Sequence, residues 1–169
     1  MNYGKGSRIE NVYYLTPKCI SLGSKVLICS GARIEGVFSY EGQKFKPSIF
    51  IDDNVSIQQN LHLTSANKIT IKKNTAIAAN VTITDINHPY EDINLPIERQ
   101  PLQVDEVVIG EDCKIYNNAV ILPGVILGKH CVVAANSVVI KGIYDDFSVL
   151  VGSPAKIIRQ FNNDKWIKL

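Results

Sequence analysis

Aliphatic residues recur every six positions through the second half of the chain, at Ile109, Ile115, Ile121, Leu127, Val133 and Val139. Four places after each of the first five stands a small or β-branched residue: Cys113, Ala119, Val125, Cys131 and Ser137. Period two marks a half-buried strand and period 3.6 an amphipathic helix, and six is neither. The repeat is accounted for if six residues make one side of a triangular prism and three sides close a coil of 18. Each side is then a short strand pairing in parallel with the same side of the next coil, about 4.8 Å away. The aliphatic residue points into the prism, and the small residue sits near a corner where a larger one would not fit. An all-β chain is expected.

The register extends upstream through Leu22, Ile28 and Ile34, then Ile51, Ile57 and Leu63, then Ile71, Ile77 and Ile83. Between sets the step is not always six: it is 17 from Ile34 to Ile51, 8 from Leu63 to Ile71, and 26 from Ile83 to Ile109. Aligned sets put every insertion at one corner, so two excursions, about Glu35–Ser48 and Thr84–Glu106, project from one edge of the prism. Loops on a rigid scaffold commonly carry function. The prediction is a single domain over 1–169, with a β-helix over 19–141 and loops at 35–48 and 84–106. Ile9, Val12 and Leu15 do not keep the step, so 1–18 reads as an irregular cap. Gly142–Val151 reads as an irregular return. Pro154–Leu169 reads as a short amphipathic helix burying Ala155, Ile157, Ile158, Phe161, Trp166 and Ile167, which covers a coil edge or reaches a neighbour.

Composition narrows the class. A hydrophobic share of 46% and a charged share of 20% fit a globular protein. A net charge of +2 with no dense Lys/Arg run gives no reason to expect nucleic acid. No apolar run approaches the roughly 18–20 residues that span a membrane. The first residues lack the charged head and apolar body of a signal peptide, so a cytoplasmic location is expected. Cys19, Cys29, Cys113 and Cys131 show no metal-ligand spacing. Cys113 and Cys131, 18 residues apart, stack on one another in this register as reduced, small apolar fillers.

Three histidines are present, and their contexts differ. His62 and His130 fall inside the repeat at outward positions, where a surface or packing role suffices. His88 lies in the long excursion, TDINHPYEDINLPIERQP, among Asp85, Asn87, Glu91 and Arg99, with Pro89, Pro96 and Pro101 stiffening the loop. A long, compositionally varied insertion in an otherwise economical solenoid is usually functional. Imidazole is also the side chain best suited to accept a proton near neutrality. His88 is the candidate general base.

NVTITDINHPYED, the proline-rich loop ending IERQP, VVIGEDCKIYNNAVILPGVILG, AANSVVIKG and VGSPAKIIR together resemble the hexapeptide-repeat acetyltransferases. The similarity is to the galactoside/maltose type and to the lipopolysaccharide and capsule O-acetyltransferases, and it runs from about Asp52 to Phe161. It implies a left-handed parallel β-helix, acetyl-CoA as co-substrate, and a homotrimer with active sites between subunits. His88 would take the proton from an acceptor hydroxyl that attacks the thioester directly. Asp85 is the candidate to orient the imidazole, and Asn60 to position the acceptor; turn or corner roles remain open for both. By resemblance an oxyanion donor lies around Asn117, and Ala135, Ile140 and Lys141 map onto the pantetheine–adenine groove. Lys156 and Arg159 are candidates for the CoA phosphates, with plain solvated charges as the alternative. The chain departs from the family at Cys113-Lys114-Ile115-Tyr116, where V-W-I-G is usual.

The expected activity is acetyl-CoA-dependent O-acetylation of a saccharide, with a surface-polysaccharide unit as one candidate acceptor. N-acetylation of a nucleotide-linked amino sugar and a non-enzymatic assembly role are the alternatives. Metalloenzymes of the same fold need three histidines, two of them about five residues apart. Here the intervals are 26 and 42, so no metal is expected.

Overall fold

The computed structural model describes residues 2–169. The chain winds through three parallel sheets in rotation. Face 1 carries Asn2–Tyr3, Ile20–Leu22, Ser48–Ile51, Lys68–Ile71, Val107–Ile109, Val125–Leu127 and Gly142–Tyr144. Face 2 carries Arg8–Ile9, Leu27–Ile28, Ser56–Ile57, Ala76–Ile77, Lys114–Ile115, Val132–Val133 and Ser148–Gly152. Face 3 carries Tyr14–Leu15, Arg33–Gly36, His62–Ser65, Thr82–Thr84, Val120–Ile121 and Val138–Val139.

Strand pairing stacks the repeat residues into columns. One runs Leu22, Ile51, Ile71, Ile109, Leu127. Others run Ile28, Ile57, Ile77, Ile115, Val133 and Ile34, Leu63, Ile83, Ile121, Val139. All are buried, and the small residues between them, Cys113, Ala119, Val125, Cys131 and Ser137, are buried with them. The two stacked thiols are free; Cys113 Sγ donates to the Gly128 carbonyl at 3.2 Å and Cys131 Sγ to the Asp145 carbonyl at 3.3 Å.

The corners explain the asparagines. Asn54, Asn74, Asp112 and His130 at one corner, and Asn60, Asn80, Asn118 and Asn136 at the next, all have positive φ. Asparagine tolerates that conformation better than other residues with a Cβ. Stacking then lets each side chain bond its neighbour. Asn60 Nδ2 donates to Asn80 Oδ1 at 3.1 Å, Asn80 to Asn118 at 3.2 Å and Asn118 to Asn136 at 3.0 Å. At Gly110 the coils approach so closely that a Cβ would strike the Gly128 carbonyl.

Three expectations fail at the ends of the chain. Residues 1–18 are not an irregular cap: within the described part, Tyr3, Ile9 and Leu15 keep the six-residue step and pair in parallel with Leu22, Ile28 and Ile34. Gly142–Tyr144 and Ser148–Gly152 are likewise a further coil, with Tyr144 beside Leu127 and Leu150 beside Val133. The β-helix therefore extends beyond 19–141 at both ends. The C-terminal helix over 154–169 is absent. Ala155–Asn162 folds back antiparallel on Ser148–Gly152, and Lys165–Lys168 pairs antiparallel with it. The edge of face 2 offers unpaired backbone groups to a segment rich in β-branched and aromatic residues, which outweighs its helical spacing. Asn163 and Asp164, with φ of 48° and 59°, form a two-residue hairpin turn. Ala155 and half-buried Ile157 close over the core, while Phe161 and Trp166, 37% and 42% exposed, pack edge-on against one another on the surface with ring centroids 5.6 Å apart.

Both excursions leave face 3 and re-enter face 1. The first forms a small hairpin, Ser39–Tyr40 with Gln43–Lys44. The second rises on an antiparallel stalk, Ile86–Asn87 with Gln103–Val104, and turns through a short 3-10 helix at Ile97–Arg99. The loops clasp each other. Tyr40 donates its hydroxyl to the Glu98 carbonyl at 2.6 Å, Leu102 N–H donates to Gln43 Oε1 at 2.6 Å, and Arg99 pairs with Glu41 at 3.3 Å.

Candidate functional site

The long loop is anchored at its root. Asp85 is fully buried and accepts from Ser65 Oγ at 2.6 Å, Ala66 N–H at 2.7 Å and Asn67 N–H at 3.0 Å, which ties the loop to the preceding coil. Burial pushes its carboxyl above the ordinary value, and those three donors oppose the shift. Further out, buried Gln100 bridges the loop internally, donating to the Asp92 carbonyl at 2.9 Å.

His88 hangs from this frame. Its Nδ1 is buried without a hydrogen-bond partner and lies 3.8 Å from Glu98 Oε2, too far for a hydrogen bond. The Tyr40 ring meets the imidazole edge-on, with centroids 5.4 Å apart, and the one proton of its hydroxyl is shared between the Glu98 carbonyl at 2.6 Å and Glu98 Oε2 at 2.8 Å. Desolvation, and then the bond to Glu98, push that phenol above its usual value. With Nδ1 turned toward Glu98, Nε2 is the nitrogen left for chemistry. His88 also lines a groove of about 300 Å³ on the outer surface of face 3, with His62, Thr64, Thr82, Thr84 and Ile86.

The other expected site residues scatter. Asp85 does not orient the imidazole: its carboxylate is taken up by Ser65, Ala66 and Asn67. Asn60 does not face the groove: it is an exposed member of the corner ladder, held at φ 59° and bonded to Asn80. Asn117 and Ala135 are exposed at that same corner, between faces 2 and 3. Ile140 and Lys141 lie at the opposite corner, where Lys141 Nζ reaches Asp105 Oδ2 at the loop base at 2.9 Å. Lys156 and Arg159 are exposed on the C-terminal hairpin along face 2, on a strand and not on a helix. Where the sequence departs from the family, Ile115 keeps its buried place and Lys114 Nζ sits 5.3 Å from the centre of the exposed Tyr116 ring.

Glu98 and Tyr40 escaped the sequence reading. Both stand in excursions assigned to one corner, so contact between the two loops was the available signal. Among the described residues no three His, Cys, Asp or Glu side chains gather, and no helix is long and apolar enough to cross a membrane.

Residues 106–141 match the family described as bacterial transferase hexapeptide (six repeats). Over 123 residues the chain is 39% identical to WbbJ of Escherichia coli (strain K12), a protein provisionally named as a lipopolysaccharide biosynthesis O-acetyl transferase. The match takes in 69% of this chain and spans 62% of that relative's length. Among solved structures, AntD, an N-acyltransferase from Bacillus cereus in complex with dTDP and 3-hydroxybutyryl-CoA, superposes with a TM-score of 0.73 at 18% identity, over 95% of this chain and 83% of its own. PerB from Caulobacter crescentus, in complex with CoA and GDP-perosamine, gives 0.64 at 18% identity over 92% and 58%. The hexapeptide-repeat-containing acetyltransferase VCA0836 from Vibrio cholerae O1 biovar eltor, complexed with acetyl-CoA, gives 0.52 at 24% identity over 94% and 73%. At these identities the structural likeness is one of fold.

Proposed function

The chain belongs to the hexapeptide-repeat acetyltransferase family, and from that premise we propose that it transfers acetyl from acetyl-CoA to a saccharide hydroxyl, with His88 as general base. The observation that carries this reading is the placing of His88, its Nδ1 against Glu98 and its ring over a hydroxyl-lined groove. The 39% identity to a relative named for O-acetyl transfer supports an oxygen acceptor. In the reaction His88 Nε2 removes the acceptor proton as the oxygen attacks the thioester carbon. The tetrahedral oxyanion collapses, the C–S bond breaks, and the imidazolium returns its proton to the departing thiolate. Glu98, shifted by about 1 Å, would hold the Nδ1 proton, steady the ring and stabilise its charge. Tyr40, already bonded to Glu98, keeps that carboxylate in place.

In this reading the β-helix is left-handed and the protein a homotrimer. Ile140 and Lys141 flank the loop base, whereas Asn117, Ala135, Lys156 and Arg159 lie elsewhere around the prism. A site shared by neighbouring subunits reconciles that scatter with one CoA groove, Lys156 and Arg159 reaching the phosphates. Acetyl-CoA is an intracellular metabolite, which supports a cytoplasmic location. N-acylation of a nucleotide-linked amino sugar is the second reading, favoured by the fold shared with AntD.

The test is release of CoA thiol from acetyl-CoA against a panel of saccharides, nucleotide sugars and amino sugars. His88→Ala should lower kcat roughly 10²–10⁴-fold, and Glu98→Gln should fall between that variant and wild type. Turnover only with amino sugars would establish the second reading. No turnover with any acceptor, together with no CoA binding, would sink both and leave an assembly role.

A further inference from the structure

The outer surface of face 3 changes chemistry along the prism axis, and the fold does not require it to. Outward positions in register run Tyr14, Arg33, His62, Thr82, Val120 and Val138. A parallel row holds Glu35, Thr64 and Thr84, and continues two places after Val120 and Val138 as Leu122 and Ile140. The C-terminal end of the face is therefore aliphatic, the middle carries three hydroxyls and an imidazole, and beyond lies the Arg33–Glu35 ion pair with Tyr14 beside the guanidinium. Valine suits a strand at least as well as threonine, and the chain itself uses valine on the next two strands. The polar middle thus serves something other than pairing.

We propose that the acceptor saccharide lies on that polar middle, with His62 as a specificity-determining residue that hydrogen-bonds it. This rests on the O-acetyltransferase reading. Neighbouring strands are about 4.8 Å apart, and alternate residues on one strand are roughly 6.6 Å apart. His62, Thr64, Thr82 and Thr84 therefore mark out a rectangle on the scale of one sugar ring. A threonine hydroxyl donates once and accepts twice. Thr84 Oγ1 already accepts from Ile86 N–H at 3.1 Å, so the hydroxyl of Thr82, the remaining capacity of Thr64 and Thr84, and His62 Nδ1 are left for vicinal sugar hydroxyls. The imidazole is held in place by Thr64, whose Oγ1 lies 3.1 Å from His62 Nε2. His88 lines the same groove. A sugar seated there presents a hydroxyl to His88, and the aliphatic stretch from Val120 to Ile140 is left for the thioester arm. Arg33, Glu35 and Tyr14 continue the polar surface toward the N-terminal coil, where a second sugar unit would lie.

Steady-state kinetics on the full-length protein, with the best saccharide from the acceptor panel, decides the matter. His62→Ala should raise the acceptor KM at least tenfold, hold kcat within about threefold and leave the acetyl-CoA KM unchanged. His62→Gln should recover part of the loss. Thr82→Val, which removes only a hydroxyl, should raise the acceptor KM about threefold to tenfold. Unchanged melting temperatures identify these as binding effects. An unaltered acceptor KM in both His62→Ala and Thr82→Val, or a change confined to the acetyl-CoA KM, would overturn the assignment while leaving the enzyme reading intact. A wild-type protein that acetylates no saccharide would overturn both.

Discussion

Asp85 and Glu98 show how two carboxylates in one loop come to different work. Asp85 is sealed in, and three donors converge on it; Glu98 is exposed beside an imidazole and a phenol. Replacing Asp85 by Ala would leave the Ala66 and Asn67 N–H groups without an acceptor, at a cost of about 1–3 kcal/mol for each that stays buried. Its titration also has a definite sign. Burial raises the folded-state pKa above the unfolded value. As pH rises between those two values the unfolded chain gives up its proton first, so stability falls across that window and levels off above it. Urea unfolding across a pH series should show this downward slope, and Asp85→Asn should remove it. An upward slope over the same window would mean that the three donors outweigh burial.

Strands, corners and hairpins were legible in unequal measure. The buried columns and the corner that sheds both loops were readable because a six-residue period depends only on which side chains point inward. Tyr3, Ile9 and Leu15 keep that period, but an aromatic in the first place hid the first coil. The C-terminal segment misled because Ala155, Ile158 and Phe161 fall at helical spacing; the Asn163-Asp164 pair was the better guide, since positive φ at two successive residues makes a hairpin turn. His88 stood out from its loop alone. Its companions did not, because Tyr40 is brought to Glu98 by tertiary structure across 58 residues. The asparagine corners make a prediction for the elements. Asn80 both accepts from Asn60 and donates to Asn118. Asn80→Ala loses those bonds and gains strain at φ 62°, for a loss of about 1–3 kcal/mol in denaturant titration. Asn80→Gly should recover the strain and not the bonds.

For the molecule as a whole, the arrangement of the site bears on its assembly. Of the proposed cofactor residues, Asn117 and Ala135 occupy the corner between faces 2 and 3, Ile140 and Lys141 the corner between faces 3 and 1, and the hairpin charges lie along face 2. A groove assembled from those places needs neighbouring subunits, so under the proposed function sedimentation at micromolar concentration should show the proposed trimer; monomer alone would sink the shared-site reading. The clasp between the loops has a consequence for how this solenoid can change. Repeats that touch only their neighbours can be exchanged coil by coil, and a projecting loop would ordinarily be portable in the same way. This one is not, because Tyr40, Glu41 and Gln43 grip it from an excursion that leaves the prism two coils earlier. A graft of residues 85–106 into a foreign prism would carry the histidine and lose the brace. Under the proposed function, new acceptor preferences in such a scaffold would have to arise by changing both loops together, or by repainting the stationary sheet beneath them.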